Sequence, residues 1–465
     1  MLDGNLLTCH SQIRMAYRTA PVATSSMPPG ILYIIGNELA ERFSFYGMRA
    51  ILMIFMTTAL RTHGGAPDLM SEAKASEWIH NYMFAVYITP LLGGLIADLW
   101  QGKYRTIIVL SLVYCAGHLV LALDNSRNGL FWGLALVAIG AGGIKPCVAS
   151  HVGDQFNSKN SHLLPRIYHW FYFSINLGSM ISMILTPWLM RKYGSHVAFG
   201  VPGVLMFVAT VVFWMGRHQF AHIPPEPRKF KAEISRPEVL RSLLGLVMIY
   251  GFIAMFWGLF DQTASRWVAQ ATRMDLNLSG VEVLPDQLQS INPILVMIMI
   301  PLFSLVIYPL VGRLVTLTPL RKIWAGFALA SISFVIPALV ESWIEAGHRP
   351  TVWWQVLAYV LLTGAEVMIS ITALEFSYTQ SPPRLKSFVM GLFYAGVSLG
   401  NLFVSRVNAS IESSGFASKL VGPAYYWFFV KCMAVTTVLF VFVAMFYKGR
   451  TYLQDEEPAA PEPHG

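Results

Sequence analysis

Charged residues are scarce in this sequence. Asp, Glu, Lys and Arg make up only 12% of its 465 residues, whereas hydrophobic residues make up 55%, and the mean hydropathy is +0.53. This composition excludes an ordinary soluble domain of this length. Cysteine is also rare, and Cys9, Cys115, Cys147 and Cys432 form neither a CxxC pair nor a metal-ligand spacing. We therefore expect small apolar packing residues at these positions and no metal site.

Motifs for nucleotide binding and hydrolysis are missing as well. The sequence contains no GxxxxGK[ST] loop, no HExxH pair and no recognisable Ser/His/Asp set. The run GAGG at 140–143 lies in an apolar stretch, where close helix packing or bending explains it better than phosphate binding. We predict that the protein is not an enzyme.

Twelve apolar runs of roughly 20 residues each are present, which is the length of a membrane-spanning helix. Lys and Arg concentrate in the segments that are cytoplasmic if both termini are inside, so we expect a multi-pass protein of the plasma (inner) membrane with this orientation. The same bias explains the net charge of +8 without nucleic-acid binding.

The longest polar segment, 217–241, divides the runs six and six, and its prolines favour extended backbone. The acidic, Pro-rich C-terminal tail is too poor in apolar residues to pack. The predicted units are an N-terminal cytoplasmic tail (1–28), a six-helix bundle (29–216), a cytoplasmic linker (217–241), a second six-helix bundle (242–448) and a disordered tail (449–465).

The first apolar run, 31–60, carries charges that hydropathy alone would penalise. Each ionised group there costs a few kcal/mol of insertion free energy. At 100° per residue, Glu38, Arg42, Tyr46 and Arg49 share one helical stripe, with Glu41 beside it. The stripe indicates a solute path through a wet interior.

A motif after the second run supports this reading. The stretch GGLIADLWQGKYRT at 93–106 resembles the signature of the major facilitator superfamily, and two six-span halves are that superfamily's plan. Asp98 would accept hydrogen bonds from a neighbouring helix end, while Lys103 and Arg105 hold the loop inside. The alternative, in which Asp98 is only a helix-end charge, stays open. The fold class predicted is an all-α membrane protein of the major facilitator fold, with 12 transmembrane helices in two bundles.

Five segments resemble the proton-dependent oligopeptide transporter (POT/PTR) family, closest to its animal-type peptide carriers. They are NELAERFSFYGMRAIL (37–52), GAGGIKPCVASHVGDQF (140–156), FYFSINLGS (171–179), MFWGLFDQTASRW (255–267) and AEVMISITALEFSYTQSP (365–382). Three positions depart from the family pattern. Phe45 replaces a tyrosine and loses a hydroxyl, while Ile371 and Ala373 replace a proline and a glycine, which we expect to stiffen their helix.

Helix direction and depth sort the embedded charges into two groups. Arg49, His80 and Asp261 lie toward the outside and are candidates for one outer cluster. The candidates for a central cluster are Glu38, Glu41, Arg42, Lys145 and Glu366. His118 has no charged neighbours in this scheme and is expected to pack. Glu375, nine residues after Glu366, is half a turn off its face and is expected to be a gate or packing charge.

A free peptide is a zwitterion, so its site should bind two charged termini. Arg42 and Lys145 would take the carboxylate, Glu366 the ammonium, and Asn176 the termini or the peptide bond. The resemblance implies the same roles. Aromatic side chains expected to line the pockets are Tyr46, Phe256, Trp257 and Trp427, although ordinary packing explains such residues equally well.

Proton coupling requires a group whose protonation changes a salt bridge. Protonated His80 would compete with Arg49 for Asp261, and the resemblance implies such a role for this histidine; a plain interfacial hydrogen-bonding role is the alternative. Glu38 or Glu41 would pair with Arg42 or Lys145 in the empty site, unless these charges form a static network.

Together these features predict a proton-coupled symporter of di- and tripeptides that works as a monomer in the lipid bilayer by alternating access. The proton would be its co-transported ion, with no other cofactor. The alternatives are a carrier of nitrate, amino acids or drug-like compounds, and a peptide receptor that does not transport.

Overall fold

The computed structural model describes residues 17–225, 227–380, 385–413 and 415–447, and this part of the chain is almost entirely helical. The predicted terminal tails and Cys9 lie wholly or largely outside the described residues. The α-helices are α1 (Ile31–Ile54), α2 (Glu72–Ile96), α3 (Lys103–Leu123), α4 (Arg127–Gly153), α5 (Leu164–Tyr193), α6 (Ser195–Met215), α7 (Pro227–Ile234), α8 (Pro237–Phe260), α9 (Arg266–Ala271), α10 (Ile291–Leu302), α11 (Tyr308–Gly312), α12 (Pro319–Glu345), α13 (Trp353–Glu366), α14 (Thr372–Thr379), α15 (Lys386–Glu412) and α16 (Pro423–Phe446).

Short irregular elements join or extend these helices. The π-helical turns are Phe55–Ala59, Ala97–Gln101, Phe303–Ile307 and Val367–Ile371. The 3₁₀ turns are Ser161–Leu163, Gly216–His218, Asp261–Ala264 and Pro285–Ser290. A two-residue antiparallel hairpin, β1 (Asn277–Leu278) with β2 (Val281–Glu282), follows α9.

Eleven helical segments of the described chain are long and apolar enough to cross a membrane. The one predicted span outside these eleven is the first in the chain. It consists of α1 and the π turn Phe55–Ala59, and its 24 α-helical and five π-helical residues reach about 43 Å. Its length therefore suffices to span, but Glu38, Glu41, Arg42 and Arg49 lower its hydropathy. The protein is a multi-pass membrane protein.

The helices pack as two bundles. In the first, α1 packs against α5 and α6, and α3 packs against α4 and α6; in the second, α12 packs against α13 and α16, and α8 against α15. The bundles meet along two seams, α2 against α15 and α5 against α10. We call the side where α1 begins and α16 ends the terminal side, and the other side the opposite side.

The segment between the bundles is not extended throughout, contrary to the prediction. Residues Pro227–Ile234 form α7, and α8 begins at Pro237, four residues before the predicted end of the linker at 241. Both helices start with proline, which lacks only an N–H that the first helical turn leaves unpaired. Proline therefore starts a helix here as readily as it extends the chain.

The loop between α2 and α3 is held by an ion pair that the sequence did not indicate. Lys103 Nζ lies 2.7 Å from Asp154 Oδ2, at the end of α4. Burial raises the pKa of the Asp154 carboxyl, and the Lys103 ammonium opposes that shift. Asp98 lies in the π turn and Arg105 is exposed on α3. The proposed hydrogen bonds from a helix end to Asp98 stay a prediction.

Helices α2 and α4 approach closely where both carry glycine. A Cβ at Gly93 would lie 2.5 Å from Gly143 Cα, so Gly93 has no room for a side chain. Thr89 Oγ1 also donates a hydrogen bond to the Ala138 carbonyl, 2.8 Å away, across the same interface. The GAGG run therefore serves close helix packing, as predicted.

We predict that Gly93→Ala lowers the free energy of unfolding by about 1–3 kcal/mol, because the new methyl group meets backbone atoms that must move apart. The matched control is Gly94→Ala, since a Cβ at Gly94 meets nothing within 4 Å. That variant should be neutral or more stable by about 0.5–1 kcal/mol. Equilibrium unfolding of the purified variants measures both values. Equal stability of the two variants would contradict the close approach.

Candidate functional site

A cavity of about 730 Å³ lies between the two bundles. The first bundle lines it with α1, α2, α4 and α5, and the second mainly with α8, α10 and the α13–α15 region. Six of its lining side chains carry or can acquire a charge: Arg42, Arg49, Lys145, His169, Glu366 and Glu375. The predicted ligands Tyr46, Asn176 and Trp257 line the same cavity.

Most charges on the α1 stripe have their counter-charge on α1 itself. Arg42 Nε donates a hydrogen bond to Glu38 Oε1, 2.6 Å away, because residues four apart lie above one another on a helix. The same Nε lies 3.2 Å from Glu41 Oε2. Both glutamates are almost fully buried, so Arg42 supplies the positive charge that their burial requires.

Lys145 does not pair with a glutamate, which corrects one predicted alternative. Its Nζ lies 3.9 Å from the centroid of the Phe45 ring and 4.8 Å from that of Tyr87. No ion pair to Lys145 occurs within the described residues. The negative ring faces stabilise the ammonium by about 0.5–2 kcal/mol, less than a carboxylate would in this setting. Phe45, which replaces the tyrosine of the family pattern, therefore still provides an aromatic ring face for the Lys145 ammonium.

Glu366, from the second bundle, accepts a hydrogen bond from Asn292 Nδ2, 2.7 Å from its Oε2. Asn292 also donates to Thr363 Oγ1 at 3.1 Å, which fixes the amide. No cation pairs with Glu366 in the part of the chain that the structure describes. Sequence reasoning missed Asn292, although an amide within the apolar run INPILVMIMIPL was a usable signal.

The helix after Glu366 is not regular, and this corrects the expected facing of Glu375. Residues Val367–Ile371 form a π-helical turn, and the expected stiffening by Ile371 and Ala373 stays a prediction. One extra residue in the turn rotates the following helix by about 100°. Glu375 consequently lines the same cavity as Glu366, where a regular helix would have placed it half a turn away.

Two aromatic side chains predicted to line the pockets lie elsewhere. Phe256 is fully buried, with its ring centroid 5.3 Å from that of Trp257. Successive residues of a helix point about 100° apart, so only Trp257 faces the cavity. Trp427 lies on α16, which packs mainly against α12, and it is not among the cavity-lining residues.

An ion pair joins the bundles toward the opposite side. Arg49 Nη2 lies 3.0 Å from Asp261 Oδ1, and the two side chains are 4% and 0% exposed. Burial at this level means that the pair forms only when the bundles are together here. Each charge loses its solvation, so each depends on the other for compensation.

His80 reaches this ion pair indirectly, which modifies the predicted competition with Arg49. Its Nδ1 lies 2.7 Å from Asn401 Oδ1, and Asn401 Nδ2 donates to Asp261 Oδ2 at 2.8 Å. Its Nε2 lies 3.0 Å from Ser265 Oγ. Because the Asn401 amide donates to Asp261, its oxygen must accept from His80. The histidine therefore carries its proton on Nδ1, and Nε2 is the atom that a further proton would occupy.

Asn401 and Ser265 are functional candidates that the sequence reasoning missed. Asn401 is a buried amide in the membrane-spanning helix α15. A polar side chain at such a position was a signal of function that the sequence offered. Ser265 lies within the motif DQTASRW, but nothing in the spacing of the motif indicates that its hydroxyl meets a histidine from α2.

Further polar contacts close the opposite side. Ser71 Oγ donates to Glu412 Oε2 at 2.6 Å, and Gln289 Nε2 donates to the Ala50 carbonyl at 3.1 Å, each joining one bundle to the other. Toward the terminal side, by contrast, the cavity-lining side chains Tyr172, Phe173 and Glu375 are exposed. The cavity is therefore closed on the opposite side and accessible toward the terminal side.

The fold and the site together define a class: a helical membrane protein in which two bundles enclose a charged cavity near mid-membrane. A family model described as the POT family matches residues 104–236 and 228–428. The chain belongs to the POT family.

Several named relatives are similar over most of this chain. Solute carrier family 15 member 2 from Oryctolagus cuniculus is 36% identical over 77% of this chain and 55% of its own length. Peptide transporter family 1 from Drosophila melanogaster is 36% identical over 70% of this chain and 49% of its own. The chain thus spans about half the length of these relatives, which are named as a carrier and a transporter and not as enzymes.

Solved structures show the same arrangement of helices. An auto-inhibited POT family peptide transporter matches with a TM-score of 0.84 and 34% identity, over 92% of this chain and 99% of that one. The POT family transporter PepTSo matches with a TM-score of 0.83 and 35% identity, over 90% and 98%. The chain therefore has the major facilitator fold of the POT transporters.

We predict that Asp261→Asn lowers the free energy of unfolding by about 3–5 kcal/mol, because it leaves Arg49 buried without a counter-charge. Equilibrium unfolding of purified protein measures the loss. The control is the double variant Arg49→Gln/Asp261→Asn, which removes both charges and should recover part of the stability. A double variant no more stable than Asp261→Asn would show that the ion pair does not carry this effect.

Proposed function

We propose that the protein carries di- and tripeptides across the membrane together with protons, by alternating access. One observation carries this proposal: Lys145 and Glu366 face one cavity from opposite bundles, and neither has an opposite charge as partner within the described residues. A cation and a carboxylate held apart in this way suit a zwitterionic solute. The names of the relatives as peptide transporters support the same substrate class.

The peptide carboxylate would first meet Lys145, whose ammonium now rests on aromatic faces. Arg42 would add its planar fork once Glu38 or Glu41 released it, and protonation of either glutamate would allow that release. The peptide ammonium would bind Glu366. Asn176 lines the same cavity and would bind a terminus or the peptide bond.

Side-chain tolerance would come from the rest of the cavity wall. Tyr46 and Trp257 contribute broad aromatic surfaces, and Trp257 Nε1 is buried without a hydrogen-bond partner in the described structure. A peptide carbonyl that accepted from this indole would satisfy it. Binding of charged termini and one backbone group leaves the peptide side chains free to vary.

Protons would enter through His80. A proton on Nε2 obliges Ser265 to turn its oxygen toward the ring, and it places a positive charge one amide away from Asp261. That charge attracts the same carboxylate that Arg49 holds, so the ion pair between the bundles weakens. Protonation would thus favour opening of the opposite side, which is the step that admits external solute.

The proton gradient suffices energetically for such coupling. One proton that moves through about 100 mV releases about 2.3 kcal/mol. Because every 1.4 kcal/mol corresponds to a tenfold ratio, this supports a roughly fifty-fold gradient of a neutral solute. No nucleotide is required.

We further propose a monomer in the plasma (inner) membrane with both termini cytoplasmic, so that the cavity opens to the cytoplasm in this conformation. The excess of Lys and Arg in the terminal-side segments supports the orientation. Bundles 29–216 and 242–448 would rock about the central cavity, with 217–241 as the connection between them.

We expect proteoliposomes with an inward proton gradient to accumulate a labelled dipeptide, and His80→Ala to lose this accumulation while it retains peptide exchange without a gradient. Glu366→Gln should lose both activities by about 10–100-fold, because a hydrogen bond to a charged group contributes about 1.5–3 kcal/mol. The matched control for His80 is His63→Ala, since His63 is exposed on the same side. It should transport normally.

The outcomes separate the possible functions. Binding of dipeptide without uptake by folded wild-type protein would indicate a receptor. Neither binding nor uptake would contradict the peptide assignment and direct the search to nitrate, amino acids or drug-like solutes. Uptake that ignores the gradient in wild type and in His80→Ala would contradict proton coupling.

A further inference from the structure

A second cavity, of about 760 Å³, lies on the outside of the seam between α5 and α10. One wall is the last part of α5, and the other is the β1–β2 hairpin with the turn Pro285–Ser290. It shares no lining residue with the central cavity. We call it the seam cleft.

The seam cleft lies at the level of the membrane surface. Trp188 and Tyr193, one at its edge and one just beyond, are 43% and 54% exposed near the end of a spanning helix. Exposed Trp and Tyr at a helix end mark the interface between hydrocarbon and head groups. The lower wall is apolar, with Ile184, Leu284 and Ile291 in the direction of the hydrocarbon.

Both signs of charge surround the cleft. Arg191 and Lys192 line it from α5, and Glu282 lines it from β2. Lys192 Nζ lies 4.9 Å from the centroid of the Trp188 ring. None of the three charges forms an ion pair within residues 17–225, 227–380, 385–413 and 415–447.

Few cations are expected on the opposite side, and those present differ in their pairing. Some have a carboxylate partner within 3 Å: Arg127 with Asp68, Lys74 with Glu77 and Arg273 with Glu341. Arg191 and Lys192, which line the cleft side by side on α5, have none within the described residues. The cations of the seam cleft are thus available for an external anion. Glu282, across the cleft, is available for an external cation.

We propose that the seam cleft binds a phospholipid whose head group carries a primary amine, of the phosphatidylethanolamine type. Its phosphate would bind Arg191 and Lys192, and its ammonium would donate to Glu282. The acyl chains would follow the apolar wall into the membrane. An anionic head group without an amine would meet the Glu282 carboxylate unfavourably, and a trimethylated amine has no N–H to donate.

Such a lipid would bridge the two bundles. Within the cleft lining, Gln287 Nε2 donates to the Ile184 carbonyl at 2.9 Å, so the two walls already touch across the seam. Separation of α5 from the hairpin would break this contact. It would also move Arg191 and Lys192 away from Glu282, so that one head group could no longer bind all three. The bound lipid would therefore stabilise the conformation that is closed on the opposite side.

The test uses the full chain purified in detergent, titrated with phosphatidylethanolamine, phosphatidylcholine or phosphatidylglycerol of matched acyl chains. Native mass spectrometry counts the retained lipids, and thermal unfolding shows that each variant is folded. Wild type should retain phosphatidylethanolamine at least five-fold better than either other lipid. Glu282→Gln should abolish the preference over phosphatidylcholine, and Arg191→Gln/Lys192→Gln should weaken retention of all three about ten-fold.

The matched control is Lys419→Gln, an exposed lysine between α15 and α16 on the same side; it should behave like wild type. Equal retention of phosphatidylethanolamine and phosphatidylcholine by wild type would overturn the proposal. So would a preference for phosphatidylglycerol, or variants at the cleft that behave like the control. Displacement of the lipid by a dipeptide would assign the cleft to solute instead.

Discussion

Charge compensation in a low-dielectric interior is the constraint on which this structure depends. Helix α1 carries four ionised groups across the membrane, and each needs an opposite charge or water. Arg42 pairs with two glutamates of its own helix, whereas Arg49 pairs with Asp261 of the other bundle. The first arrangement survives any relative movement of the bundles. The second exists only while the opposite side is closed, so neutralisation of Arg49 is tied to conformation.

The two arginines connect the site to this closure. They lie seven residues apart on one face of α1, a separation of about 10 Å along the helix. Arg42 lines the centre of the cavity and Arg49 its closed end. A rigid helix thus holds the group proposed to bind a carboxylate in fixed relation to the group that joins the bundles. Displacement of α1 by solute would act on both.

Depth along a helix could be predicted from the sequence, because each residue advances a fixed distance. That rule is sufficient to place Arg49, His80 and Asp261 near one another, and Arg42, Lys145 and Glu366 along one cavity. Contacts of single side chains could not be derived in this way. The insertion of Asn401 between His80 and Asp261, and the rings under Lys145, depend on the register of helices far apart in sequence. No local pattern encodes that register.

A regular helical period mispredicts which way side chains face after a π turn, because the turn contains one extra residue. Two such turns interrupt cavity-lining helices of the second bundle, at Phe303–Ile307 and Val367–Ile371. Pro301, which lacks an N–H, is a sequence signal for the first of these turns. Nothing comparable precedes the second, so a regular period misplaces Glu375. The turn begins directly after Glu366 and weakens the hydrogen-bond ladder there. The carboxylate proposed to bind the peptide ammonium therefore lies at the point where its helix can bend most easily.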